Sequence, residues 1–219
     1  MYAVYHGPAG IRRIANQVHG YAQVFKSTVE GFGYATENLP FFDTVTLDAC
    51  SVAGSADVLH AKARNAGINL RLIDNQRVGA TLDESVSPDD LLTLVNVFAS
   101  AASVSPVSLS DLKKPEGSAI PLELRRTSEY LPHPVFNKHH SETEMLRYIH
   151  HLASKDLSLV HSMIPLGSCT MKLNSTSSMI PLTWPEFSDV HPFAPYEPVK
   201  GYHTVIKVRE ISYSQVAAH

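Results

Sequence analysis

Cysteine is scarce, with only Cys50 and Cys169 in 219 residues. That density is far below a secreted disulfide scaffold, and it makes a reducing compartment with free thiols the default reading. No apolar run approaches the roughly 20 residues of a membrane span. Positive charge is in no surplus: 18 Lys and Arg against 21 Asp and Glu give a net charge of -3. This argues against a dominant nucleic-acid or anionic-membrane footprint. The start, Met1-Tyr2-Ala3-Val4-Tyr5-His6, lacks both the basic-apolar-small order of a signal peptide and the Arg/Ser-rich run of a transit peptide. It reads as a chain entered partway through a domain. Internal repeats and long low-complexity tracts are missing too. What remains is 44% hydrophobic and 18% charged, an ordinary globular balance long enough, at roughly 150 residues per domain, for one to two domains.

Periodicity gives the order of elements. Ile11, Ile14, Ala15, Val18, Tyr21, Ala22, Phe25 and Val29 recur by threes and fours, predicting a helix over residues 9–31 that Gly31 and Gly33 stop. Val45, Leu47 and Ala49 alternate with polar residues as a half-buried strand does. A helix over residues 56–66 with Gly67 as its left-handed cap follows. Two short strands come next, within residues 69–74 and 78–82, joined at Asp74-Asn75-Gln76. Ser87 then caps a helix with Pro88 in its first turn and Leu91, Leu94, Val95 and Phe98 as its buried stripe. From Ser100 to Thr127 no period is sustained, which reads as a linker. Ser141 and Glu144 form a capping-box pattern ahead of Leu146, Ile149 and Leu152 or Ala153. Five prolines between Pro181 and Pro198 leave room for a short helix near residues 184–190. Residues 205–219 show neither a helical stripe nor a strand alternation.

The most chemical stretch is Gly167-Ser168-Cys169-Thr170-Met171-Lys172-Leu173-Asn174. Gly167 permits close backbone approach, Ser168 and Thr170 can donate to carboxylate or phosphate oxygens, and Lys172 supplies charge. The other reading is a structural loop whose hydroxyls cap the following turn. Cys169 as nucleophile lacks an identifiable base, and Lys172 as a Schiff-base lysine needs a desolvated or electropositive pocket. Six histidines lie between positions 133 and 161, but with no His-Glu-x-x-His or Cys-x-x-Cys spacing they read as helix-end and surface residues, and no metal site is assigned. Phosphate-loop and dinucleotide signatures are missing as well.

The run Ser158-Leu159-Val160-His161-Ser162-Met163-Ile164-Pro165-Leu166-Gly167-Ser168-Cys169-Thr170-Met171-Lys172-Leu173-Asn174, with Thr183-Trp184-Pro185-Glu186-Phe187 and His191-Pro192-Phe193, resembles the P-protein family of the glycine cleavage system. Supporting likenesses begin at residue 1 and continue to about Lys207. The resemblance implies an α/β fold: two related halves with the pyridoxal-phosphate-dependent aminotransferase-like (fold type I) architecture, of which this chain carries incomplete parts. Residues 1–105 would be the end of the first half with its small α/β domain, 106–135 a linker, 136–200 the start of the second half with its active-site-entrance loop, and 201–219 a divergent tail. It also implies decarboxylation of glycine on pyridoxal phosphate and transfer of the aminomethyl group to the lipoyl arm of H-protein. Glycine and lipoylated H-protein are thus the implied partners, and a P-protein dimer is compatible with them.

By position, the resemblance places Ser168, Cys169, Thr170, Lys172 and Asn174 near substrate or lipoyl arm. It assigns no catalytic residue here, because the family's Schiff-base lysine follows a His beside a Gly-rich stretch and neither feature occurs in this chain. The expectation is a chain inactive by itself, mitochondrial by family, with no targeting segment within its 219 residues. Two other readings stand beside it: an amino-acid-binding or regulatory α/β module built on residues 41–100 as a small split βαβ sheet, and a non-catalytic partner of full-length P-protein.

Overall fold

A computed structural model describes residues 1–112, 117, 119–157 and 175–217, which fall into two units, 1–155 and 156–219. The first unit contains helix α1 (Tyr2–Gly31), strands β1 (Ala35–Thr36) and β2 (Thr44–Asp48), helix α2 (Ala56–Asn65), strands β3 (Arg71–Leu72) and β4 (Arg77–Thr81), helix α3 (Pro88–Ala101) and helix α4 (Glu142–Ala153). Its strands make one sheet in the order β1-β2-β4-β3, with every pairing antiparallel. Because β2 and β3 both run antiparallel to β4, which lies between them, they are parallel to each other and joined through α2, which is the split βαβ arrangement expected over residues 41–100.

Register explains the core. Val45 stands opposite Ala80 and Leu47 opposite Val78, so the period-two apolar residues of both strands share one buried face. Onto it pack Ala22, Phe25 and Val29 of α1, Leu59 and Ala63 of α2, and Leu91, Leu94, Val95 and Phe98 of α3. Phe98 meets Phe25 and Tyr34 edge-on, with centroids 5.1 and 5.3 Å away. The Tyr34 hydroxyl donates to the Phe98 carbonyl at 3.1 Å, and burial pushes its pKa up to about 12. The opposite sheet face is polar. There Thr44 and Thr81 join hydroxyls at 3.0 Å.

The helix starts carry their sequence signals. Ser55 accepts from the Val58 amide and caps α2, and Gly67 takes φ 77° just past its end. Ser87 and Asp90 form a reciprocal capping box around Pro88 at the start of α3. Ser108 and Asp111 repeat the device at a single turn of 3-10 helix. Ser87 hydrogen bonds hold the Asp90 carboxyl below its ordinary pKa, Ser108 does the same for Asp111, and the Gln76 and Arg77 amides with the Arg77 guanidinium do so for Asp74. As pH falls, the unfolded chain therefore takes up these protons first. The stabilisation is whole above the ordinary value of about 3.9 and is lost as pH drops through the lower folded values. Urea midpoints measured from pH 6 to pH 2.5 should fall in the wild type. They should fall less steeply in Asp90→Asn, which starts from a lower midpoint.

Helix α1 begins seven residues before the expected start at residue 9, because a kink at Gly7 (φ 63°, ψ 178°) and Pro8 joins a first turn to it. Pro8 has no amide hydrogen, so the normal helical ladder is broken there. Residues 130–140 fold over the break as a strap. The Tyr130 hydroxyl donates to the Pro8 carbonyl. His140 Nδ1 donates to the Tyr5 carbonyl at 2.8 Å. The Arg12 guanidinium lies 5.7 Å from the Tyr130 ring centroid, a cation–π distance.

The second unit contains α5 (Thr176–Met179), α6 (Pro185–Ser188) and α7 (Lys200–Ala217). Here the sequence offers neither a clear helical stripe nor a strand alternation over residues 205–219, and α7 is an 18-residue helix whose apolar Tyr202, Val205, Ile206 and Val208 are exposed. Phe187 and Tyr202 approach to 6.0 Å between ring centroids, yet no described residue of this unit is buried.

Candidate functional site

Ser168, Cys169, Thr170, Lys172 and Asn174, on which the sequence reading centres, lie outside the described residues. The geometry on view is that of the small antiparallel domain and its surroundings.

Its strongest electrostatic feature sits on the sheet's polar side. Arg77 donates through Nε to Asp74 Oδ2 at 2.8 Å and through Nη1 to Glu37 Oε1 at 3.1 Å. Asp74 Oδ1 also receives the backbone amides of Gln76 and Arg77 at 2.9 and 2.8 Å. The Asp74-Asn75-Gln76 turn was legible because an Asx residue closes its own turn. Glu37 was not, since it meets Arg77 only after β1, β2 and β4 align. All three groups are partly solvated, so the cluster fastens a hairpin and leaves little unspent charge for a ligand.

The least exposed described lysines are likewise occupied. Lys26 Nζ donates to the Glu37 carbonyl at 3.2 Å, lies 3.8 Å from Glu30 and sits 5.2 Å from the Phe41 ring centroid. Lys62 lies on a groove of about 520 Å³ with Asn65, Thr93, Asn96 and Ser100. Its ammonium donates to the Ser100 carbonyl at 3.0 Å and hydroxyl at 3.3 Å, which places a cation at the negative end of α3. Asn96 is tied to Val107 by two hydrogen bonds.

A pyridoxal phosphate site needs a desolvated lysine, phosphate donors and a carboxylate for the ring nitrogen. The described residues do not fit that group: the ammonium groups of Lys26 and Lys62 are both engaged by protein oxygens, of Glu37 and Ser100 respectively. Cys50, an exposed free cysteine, has Asn75 O 3.9 Å from its Sγ, and its amide donates to Asp48 Oδ1 at 2.8 Å. Among the described residues, no three His, Cys, Asp or Glu side chains converge as a metal site, and no helix is long and apolar enough to cross a membrane.

His19 is the one buried histidine among the described residues. Its Nδ1 lies 2.8 Å from the Phe42 carbonyl, and its ring stacks on Phe42 and tilts against Phe41. The ring therefore joins α1 to the segment before β2, a packing role.

Sequence comparison supplies what this geometry leaves open. Residues 1–98 match the sequence model of the family described as Glycine cleavage system P-protein. The chain is 50% identical over 208 residues, 94% of its length, to "Glycine dehydrogenase (decarboxylating) 1, mitochondrial" of Arabidopsis thaliana. It is 48% identical over 206 residues to "Glycine dehydrogenase (decarboxylating)" of Cupriavidus metallidurans. Those alignments cover 20% and 21% of the two relatives, so the chain spans about a fifth of the curated proteins it matches. The same likeness thus recurs in a plant and a bacterial protein, and the α/β domain of residues 1–98 is the part that resembles the glycine cleavage system P-protein family.

Proposed function

We propose that this chain is a non-catalytic stretch of a glycine dehydrogenase (decarboxylating), contributing one small α/β domain and one active-site-entrance loop to a protein about five times its length. The supporting observation is near-50% identity to two such enzymes over almost the whole chain. In this reading the complete enzyme uses pyridoxal phosphate to take carbon dioxide from glycine and hands the aminomethyl group to lipoylated H-protein. The cofactor-holding lysine lies elsewhere in the complete protein, consistent with the occupied Lys26 and Lys62. Ser168, Cys169, Thr170, Lys172 and Asn174 line the approach of substrate or lipoyl arm, and the domain division falls at 1–105, 106–135, 136–200 and 201–219. The two halves have the fold type I architecture. The compartment is the mitochondrial matrix, as the name of the Arabidopsis relative suggests, and a dimer of the complete protein is compatible with this reading.

Two measurements test it. The purified chain, given pyridoxal phosphate, glycine and lipoylated H-protein, should release no carbon dioxide from carboxyl-labelled glycine, and borohydride should fix no cofactor to a specific lysine. Replacing the matching stretch of the Arabidopsis relative with this chain should retain glycine decarboxylation. Activity in the isolated chain would overturn the non-catalytic assignment, and a folded but inactive chimera would overturn the functional kinship.

A further inference from the structure

The apolar face of α4 faces no core. Ser141 caps the helix, and Leu146, Ile149 and Leu152 follow at the spacing of one face, yet they are 66%, 44% and 40% exposed. A Leu or Ile side chain gains about 1.5–3 kcal/mol on full burial, so this face gives up most of what its pattern is suited to gain. A 12-residue helix is also marginal in water without tertiary packing.

The helix is nevertheless anchored. His139 stacks on Tyr148 with ring centroids 4.2 Å apart, and His140 bonds the Tyr5 carbonyl. Tyr5, Met145, Leu146 and Ile149 thereby line a groove of about 430 Å³ with Glu142 at its rim. An apolar groove between two fixed helices, edged by one carboxylate, has the character of a helix-docking surface.

Size decides the occupant. At 1.5 Å per residue, α4 is about 18 Å long, too little for a self-paired helix to reach the roughly 800 Å² per partner of a stable interface. A second copy of this chain is therefore a poor cover. The relatives offer a better one, because four fifths of their length lies outside the matched stretch, and a covalently connected segment avoids most of the entropy cost of association.

Resting on the family reading, we infer that the groove formed by Tyr5 and the Met145–Leu146–Ile149 face of α4 is the seat of an apolar helical segment from the remainder of the P-protein polypeptide, with a basic residue of that segment opposite Glu142.

Leu146→Glu and Ile149→Glu test this in two settings. In the isolated chain both side chains already meet water, so the unfolding midpoint should move by no more than about 1 °C. In the Arabidopsis chimera the same changes would bury a carboxylate in an apolar seat, and soluble yield should fall about tenfold or more. Equal yields of wild-type and variant chimeras would overturn the inference while leaving the family reading intact. A wild-type chimera that fails to fold, with the isolated chain soluble, would count against both. A dimer of the isolated chain that Leu146→Glu dissociates would also overturn it, by assigning the groove to a second copy.

Discussion

Phe98→Ala should remove about 3–5 kcal/mol of stability, the range for truncating a buried phenylalanine. Phe98 is fully buried, and it holds α1 to α3 through Phe25 and to the segment before β1 through Tyr34. The substitution leaves a cavity on three sides and deletes two edge-to-face ring contacts, each worth about 0.5–1.5 kcal/mol beyond buried area. Against a typical total of about 5–15 kcal/mol, that loss should leave the domain partly unfolded at 37 °C. The urea midpoint reads it, with an unchanged slope showing that compactness is retained. Tyr34→Phe is the contrasting variant. It removes one hydrogen bond to a carbonyl that the Ala102 amide also reaches, at 3.0 Å, so about 1 kcal/mol is expected.

Gly7→Ala should be comparably damaging for a different reason. At φ 63° and ψ 178° the residue occupies a region open almost solely to glycine. A Cβ there would stand 2.6 Å from His140 Cε1 and 2.9 Å from the Phe136 carbonyl oxygen. Backbone strain of about 1–3 kcal/mol adds to a clash with backbone that cannot rotate away. Both are relieved only by lifting the strap off α1. The expected signature is local: amide exchange at Phe136 and His140 should accelerate, and the urea midpoint should drop. Gly20→Ala in the same helix meets nothing within 4 Å and should stabilise by about 0.5–1 kcal/mol.

Much of the small domain was legible because its signals are local. Ser87, Pro88 and Gly67 mark helix ends by chemistry that acts within four residues. The alternation Val45, Leu47 and Val78, Ala80 fixes two strand faces without knowledge of their partners. Other elements depend on what comes from afar. β1 has two residues and exists because β2 pairs with it. The first turn of α1 survives Pro8 because the distant strap donates hydrogen bonds to the carbonyls of Tyr5 and Pro8. For α4 the sequence correctly shows an apolar face, but no periodicity reveals that the surface meant to cover it lies in another stretch of polypeptide.

The proposed site was legible in the opposite manner. Residues 158–174 carried a family likeness through their order, while residue types and spacing alone left both a ligand loop and a structural loop open, the structural loop favoured. The charge cluster of Glu37, Asp74 and Arg77 gave no motif, and its parts meet only through the strand register.

The bond from Tyr130 to Pro8 spans 122 residues of chain. During synthesis the sheet and α3 can close as soon as residue 101 is available, because the buried residues of their shared core lie within residues 22–98. The beginning of α1 must wait for the strap. At about 5–20 residues per second, the gap between the two events lasts a few seconds, during which the start of the stretch is bare to chaperones and proteases while its core is already formed.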